Sequence, residues 1–125
     1  MLFRSDPCLA FTVADRAISH YEGGTIVCDH PTVNYRLCFR WGVEASDLLG
    51  NHYSPHYYGV KEPLEYAKWL AKHNVTLWLY ASSRAYPVWA VASRKMPGLL
   101  VLKEEVYGMR IYEVDHAVLE KILSG

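Results

Sequence analysis

Thr25-Ile26-Val27-Cys28-Asp29-His30-Pro31 reads as an apolar strand that stops at an acidic residue and runs into a Pro-started helix. Pro at the first helical position loses no hydrogen bond, because the N–H it lacks would have no intrahelical partner, and the polar residues before it can cap. The stretch therefore places Asp29 and His30 at the carboxyl end of a parallel strand, the edge at which open α/β sheets bind their ligands.

Working outward, Val13, Ala14, Ala17, Ile18 and Tyr21 share one helical face, and Gly23-Gly24 stops that helix before the strand Thr25 to Cys28. Beyond Pro31 a second helix is expected to about Trp41, with Val33, Leu37 and Trp41 inward and Gly42 at its end. Val43 to Glu62 reads as a long irregular connection holding Asn51-His52-Tyr53-Ser54-Pro55-His56-Tyr57-Tyr58, and a loop of that length in a small domain is usually functional or an interface. A third helix is expected from Pro63, with Leu64, Ala67, Leu70 and Ala71 as its apolar stripe. Val75 to Tyr80 alternates and is rich in β-formers, so it reads as the second strand, with Ala81-Ser82-Ser83-Arg84 at its carboxyl end. A helix from Pro87 carrying Val88, Val91 and Ala92 follows and closes at Pro97-Gly98. Leu99 to Lys103 and Met109 to Val114 are two further strands around a Tyr107-Gly108 turn, and Asp115 caps a last helix with Val118, Leu119 and Ile122 inward.

This alternation predicts a single α/β domain over residues 1–125, a three-layer Rossmann-like sandwich with a mostly parallel sheet and an antiparallel last strand. Ile26, Val27, Leu77, Leu79, Leu100 and Val101 are expected in adjacent central strands. The carboxyl rim would gather Asp29, His30, Ser82, Ser83 and Arg84.

Composition narrows the function. The 125 residues suffice to bury roughly two thirds of the unfolded surface. Thirteen basic residues balance thirteen acidic ones, so no field steers the chain to polyanions and no nucleic-acid partner is expected. Ten Tyr and four Trp favour half-wet surfaces, since each joins an apolar body to a polar tip. Cys8, Cys28 and Cys38 include no CxxC pair, which encodes neither a disulfide framework nor a zinc ribbon. No apolar run reaches the length of a membrane span, and Met1 to Asp15 lacks the pattern of a signal peptide.

Each chemical candidate has a structural counterpart. Asp29 could be a nucleophile or magnesium ligand, but that chemistry needs a second nearby carboxylate and Pro31 stands where one would fall; capping is the competing role. His52 and His56 could share a metal with His30 or Asp29, yet Pro55 between them breaks the helix that would align the two imidazoles. No metal site is expected. Ser82-Ser83-Arg84 ahead of a helix could hold an anion through N–H groups and a guanidinium, or simply cap. His20, His73 and His116 have no partner readable from sequence. No GxGxxG, GxxxxGK[ST] or GxSxG occurs, so no nucleotide cofactor and no hydrolase elbow are expected. Tyr53, Tyr57 and Tyr58, with Asn51, His52 and His56, are expected as a contact surface that stacks on sugars or fills a partner's pockets.

The run Asp15-Arg16-Ala17-Ile18-Ser19-His20-Tyr21-Glu22-Gly23-Gly24-Thr25-Ile26-Val27-Cys28-Asp29-His30-Pro31 resembles the soluble segment that follows the membrane helices in archaeal and bacterial glycosyltransferases of the dolichyl-phosphate-mannose protein mannosyltransferase type. Leu70 to Tyr80 is similar to the helix and strand of those segments, and Tyr107-Gly108-Met109-Arg110-Ile111-Tyr112-Glu113-Val114 to their closing strand. The similarity runs from about Ala14 to Val114. It implies a non-catalytic accessory domain at the extracytoplasmic face of the membrane, touching the transmembrane portion of its parent enzyme, a glycan or a lipid-linked sugar. The family's catalytic acids lie in loops between membrane helices, so no catalytic residue carries over. The WWDYG signature of oligosaccharyltransferase soluble domains is absent, and Asn51-His52-Tyr53-Ser54-Pro55 does not replace it. The alternative expectation is a stand-alone, cytoplasmic α/β ligand-binding or hydrolase-like domain whose site is the same carboxyl rim.

Overall fold

The computed structural model describes residues 7–28, 30–50, 63–81 and 95–125. In chain order these form α1 (Pro7–Ile18), β1 (Thr25–Val27), α2 (Pro31–Phe39), a 3-10 turn (Ala45–Asp47), β2 (Leu48–Leu49), α3 (Pro63–Lys72), β3 (Val75–Ala81), β4 (Leu100–Val106), β5 (Met109–Val114) and α4 (His116–Ser124). The five strands make one mixed α/β sheet in the order β2-β1-β3-β5-β4. β1 pairs parallel with both β2 and β3, whereas β5 pairs antiparallel with both β3 and β4.

β1 and β3 are apolar because both of their faces are covered. Ala10, Val13, Ala14 and Ala17 of α1 and Val33 and Leu37 of α2 pack with Ile26, Leu77, Leu79, Met109 and Ile111. On the other face Tyr66, Ala67 and Leu70 of α3 and Leu119 of α4 pack with Val27, Trp78, Tyr80 and Val114. Alternation sends successive strand residues to opposite faces. A bulge modifies it at the start of β3, where Thr25 faces Val75 and Ile26 faces Leu77, leaving Thr76 as the extra residue.

Several sequence expectations are corrected. α2 ends at Phe39, and Trp41 lies on the surface, 39% exposed, with its indole N–H donated to Asp15. In α3 the buried stripe is Tyr66, Ala67 and Leu70, while Leu64 and Ala71 are exposed; the helix turns its aromatic residue inward to meet Trp78. The connection after Gly42 contains β2, whose two residues pair with Ile26 and Val27. Leu100 and Val101 are not beside β3: β5 occupies that place and β4 is an edge, with Val101 39% exposed. The cause is polarity, since Met109, Ile111 and Val114 are buried along β5 while β4 carries Lys103, Glu104 and Glu105. The helix expected from Pro87 with Val88, Val91 and Ala92 lies outside the described residues.

Candidate functional site

β2, β1 and β3 are parallel neighbours, so their carboxyl ends lie along one edge of the sheet. Of the residues expected there, Asp29, Asn51, His52, Tyr53, His56, Tyr57, Tyr58, Ser82, Ser83 and Arg84 lie outside the described residues. His30 is described and serves as the N-cap of α2, its Nδ1 accepting from the Val33 N–H at 3.4 Å. An accepting Nδ1 puts the ring proton on Nε2. One residue turn further on, Asn34 Nδ2 donates to the Cys28 carbonyl at 2.8 Å and ties α2 to the end of β1. Asn34 Oδ1 is buried at this rim without a hydrogen-bond partner among the described residues.

A cleft of about 350 Å³ opens at the opposite edge, where β1 and β3 begin and β5 ends. Three chain reversals build it. Gly23 and Gly24, at φ 110° and 81°, reverse the chain after α1. Asn74, at φ 49°, does so between α3 and β3; Asn tolerates this left-handed region better than most residues. Asp115 accepts from the Ala117 and Val118 N–H groups, starting α4 directly after β5 and bringing His116 to the cleft. The reversals are tied together: Thr76 Oγ1 donates to the Gly23 carbonyl at 2.6 Å, Tyr21 Oη to the Gly24 carbonyl at 2.9 Å, and Thr25 N–H to the Asn74 carbonyl at 2.9 Å. His20, Glu22, Glu113 and His116 bring the titratable groups.

Both imidazoles are oriented by partners distant in sequence. His20 Nε2 lies 2.8 Å from Glu104 Oε1, and His116 Nε2 lies 3.1 Å from the Val75 carbonyl. Arg16 Nε donates to the other oxygen of Glu104 at 3.1 Å. The Arg16 guanidinium first, and His20 second, hold the Glu104 carboxyl below its ordinary value. No group of three or more His, Cys, Asp or Glu arranged to hold a metal occurs among the described residues.

A second surface feature joins α1 to α2. Asp15 accepts from Arg36 Nε and Nη2 at 3.0 and 3.1 Å and from Trp41 Nε1 at 2.7 Å. Arg36 lies over the Phe11 ring at 4.7 Å and Arg40 over Trp41 at 4.6 Å. Beside them Tyr35 and Phe39 stand one turn apart with ring centroids 4.7 Å apart, 58% and 74% exposed. Aromatic and guanidinium groups held in place on a surface are the residue types that dominate protein contacts.

This network has a pH signature. The Arg36 hydrogen bonds hold the Asp15 carboxyl below its ordinary 3.8, so the folded protein binds fewer protons there than the unfolded chain. The contribution is complete above the ordinary value and is lost as pH falls through it toward the lower folded one. Asp15→Asn is therefore expected to flatten the fall in melting temperature between about pH 5 and pH 3. A variant with the wild-type slope would show the pair to be energetically idle.

Comparisons of the chain with family models, with curated proteins and with solved structures give no match.

Proposed function

We propose that the chain is a non-catalytic accessory domain of a membrane-bound glycosyltransferase of the dolichyl-phosphate-mannose protein mannosyltransferase type, an enzyme that transfers lipid-linked sugar to protein or glycan. In this reading it sits at the extracytoplasmic face and works by contact with the transmembrane portion or the acceptor. The observation that carries it is the exposed surface of Tyr35, Phe39 and Trp41, fixed through Asp15, Arg36 and Arg40. An aromatic surface of this kind costs stability in water and repays it when a partner covers it. The order of helix, glycine-marked reversal, short buried strand and Pro-started helix agrees with the residues on which the resemblance rests. Helices α1 and α2 on one face of the sheet and α3 and α4 on the other support a three-layer, Rossmann-like sandwich. No helix among the described residues is long and apolar enough to cross a membrane, so in this reading the membrane-spanning part is a separate segment or chain.

The test has two arms. Purified chain given dolichyl-phosphate mannose and an acceptor should show no transfer or hydrolysis. Binding to nanodiscs carrying the membrane-spanning part of the enzyme should weaken in Tyr35→Ser/Phe39→Ser and in Tyr53→Ser/Tyr57→Ser/Tyr58→Ser, by about thirtyfold for each anchor of about 2 kcal/mol, with melting temperatures unchanged. Turnover by the chain alone, or affinity indifferent to both sets, would overturn the proposal. A second reading, a stand-alone ligand-binding or hydrolase-like domain with its site at the carboxyl ends of the strands, is favoured by Asn34 Oδ1, because a buried acceptor left unpaired costs about 1–3 kcal/mol unless a ligand satisfies it.

A further inference from the structure

We propose that the cleft at the amino ends of β1 and β3 is a binding site for a small organic cation, an ammonium or guanidinium group on a short aliphatic stem. The inference follows from which hydrogen-bonding groups the cleft has left to offer.

Its side-chain donors, the Asn74 amide apart, are spent internally. A carbonyl oxygen can only accept, so the contact of His116 Nε2 with the Val75 carbonyl places the proton on Nε2. The contact of His20 Nε2 with the Glu104 carboxylate does the same. In the neutral ring each imidazole then keeps Nδ1 as an acceptor. The Thr76 hydroxyl proton is committed to the Gly23 carbonyl. What remains among the side chains is two ring lone pairs, the Asn74 side-chain amide and the carboxylates of Glu22 and Glu113.

Charge points the same way. Glu22 and Glu113 are both in the lining, and no Lys or Arg is. Neither carboxylate takes part in a salt bridge among the described residues, whose arginine ion pairs join Arg16 to Glu104, Arg36 to Asp15 and Arg110 to Glu105. An acceptor-rich cleft with two unpaired negative charges repels anions and rewards a ligand that brings several N–H donors and a positive charge, since charge-assisted hydrogen bonds are the strong ones. The volume of about 350 Å³ is at the small end for ligand pockets, and Val114 gives an aliphatic stem an apolar wall. The walls are also held before any ligand arrives, by the Thr76, Tyr21 and Thr25 bonds across the reversals, which lowers the ordering cost of binding.

The chemistry has two sources, a free amine or an arginine side chain of a peptide, and the experiment separates them. Agmatine, and in a second arm a blocked Gly-Arg-Gly peptide, is titrated into ¹⁵N-labelled protein. Both are followed by amide shifts and calorimetry, with acetate as the anionic control. Saturable shifts are expected at Gly23, Gly24, Thr76 and His116, with none from acetate. Glu113→Gln and Glu22→Gln should each raise the dissociation constant by about tenfold or more while keeping the wild-type melting temperature. Tighter binding of agmatine assigns the site to a free amine, and tighter binding of the peptide assigns it to a protein arginine. The proposal fails if neither probe gives saturable shifts by about 10 mM, if the shifts fall elsewhere, or if the double Glu→Gln variant binds as the wild type does. None of these outcomes bears on the accessory-domain reading, which rests on the α2 surface.

Discussion

Trp78→Ala is expected to lower the unfolding free energy by about 3–5 kcal/mol, measured as a shift of the denaturant midpoint at constant slope. Trp78 is fully buried in the centre of β3, in register with Val27 on one side and Tyr112 on the other. Its ring meets Tyr66 at 5.4 Å and Trp69 edge-on at 5.8 Å, so it joins α3 to the sheet. Truncation removes the largest fully buried side chain among the described residues and leaves a cavity that the β3 ladder, fixed on both sides, cannot collapse to fill. A small domain has only about 5–15 kcal/mol in total, so the variant should stand near the edge of folding. Trp78→Phe keeps an aromatic partner for Tyr66 and should lose less. An unchanged midpoint in Trp78→Ala would place this residue outside the core.

Gly24→Ala should cost about 2–4 kcal/mol despite adding a single methyl group. At φ 81° the backbone is in the region where an L side chain costs about 1–2 kcal/mol by itself. The added Cβ would also fall 2.8 Å from the Asn74 carbonyl oxygen and against Cγ2 of Thr76. Backbone cannot yield there, because the same Asn74 oxygen accepts the first hydrogen bond of β1 from Thr25. Pairing the change with Thr76→Ser separates the two obstacles: serine keeps the hydroxyl for the Gly23 carbonyl and removes Cγ2. The double variant should recover part of the loss and no more. Wild-type stability in Gly24→Ala would mean that β1 and the start of β3 do not approach this closely.

Features with local causes were legible in the sequence. The apolar period of α1, the Gly23-Gly24 reversal, the alternation of β3, the Tyr107-Gly108 turn and the Asp115 cap each depend on residues within a turn or two and are where they were expected, except that α1 ends at Ile18, ahead of the glycines, and leaves Tyr21 outside the helix. Features with distant causes were not. Leu48 and Leu49 are a strand only because Ile26 and Val27 lie beside them. Trp41 faces outward because its N–H finds Asp15, 26 residues earlier. The insertion of β5 between β3 and β4 is a choice among pairings that a list of strands does not make. The cleft was invisible for the same reason: the partners that orient His20 and His116 stand 84 and 41 residues away. Of the expected carboxyl-rim residues, His30 is described, and it performs the capping at the start of α2 that had been expected of Asp29, which lies outside the described residues.

The place of β5 also sets the order in which the protein can be finished during synthesis. The edge of β3 that β5 covers stays open until residues 109–114 leave the ribosome, although β1, β2 and β4 have all emerged by then. β4 meanwhile has no neighbour to pair with. A nascent chain stalled before Met109 therefore exposes two unpaired strand edges where the finished sheet has its middle. Loss of the carboxyl-terminal segment would split this sheet in two and not merely trim one side of it.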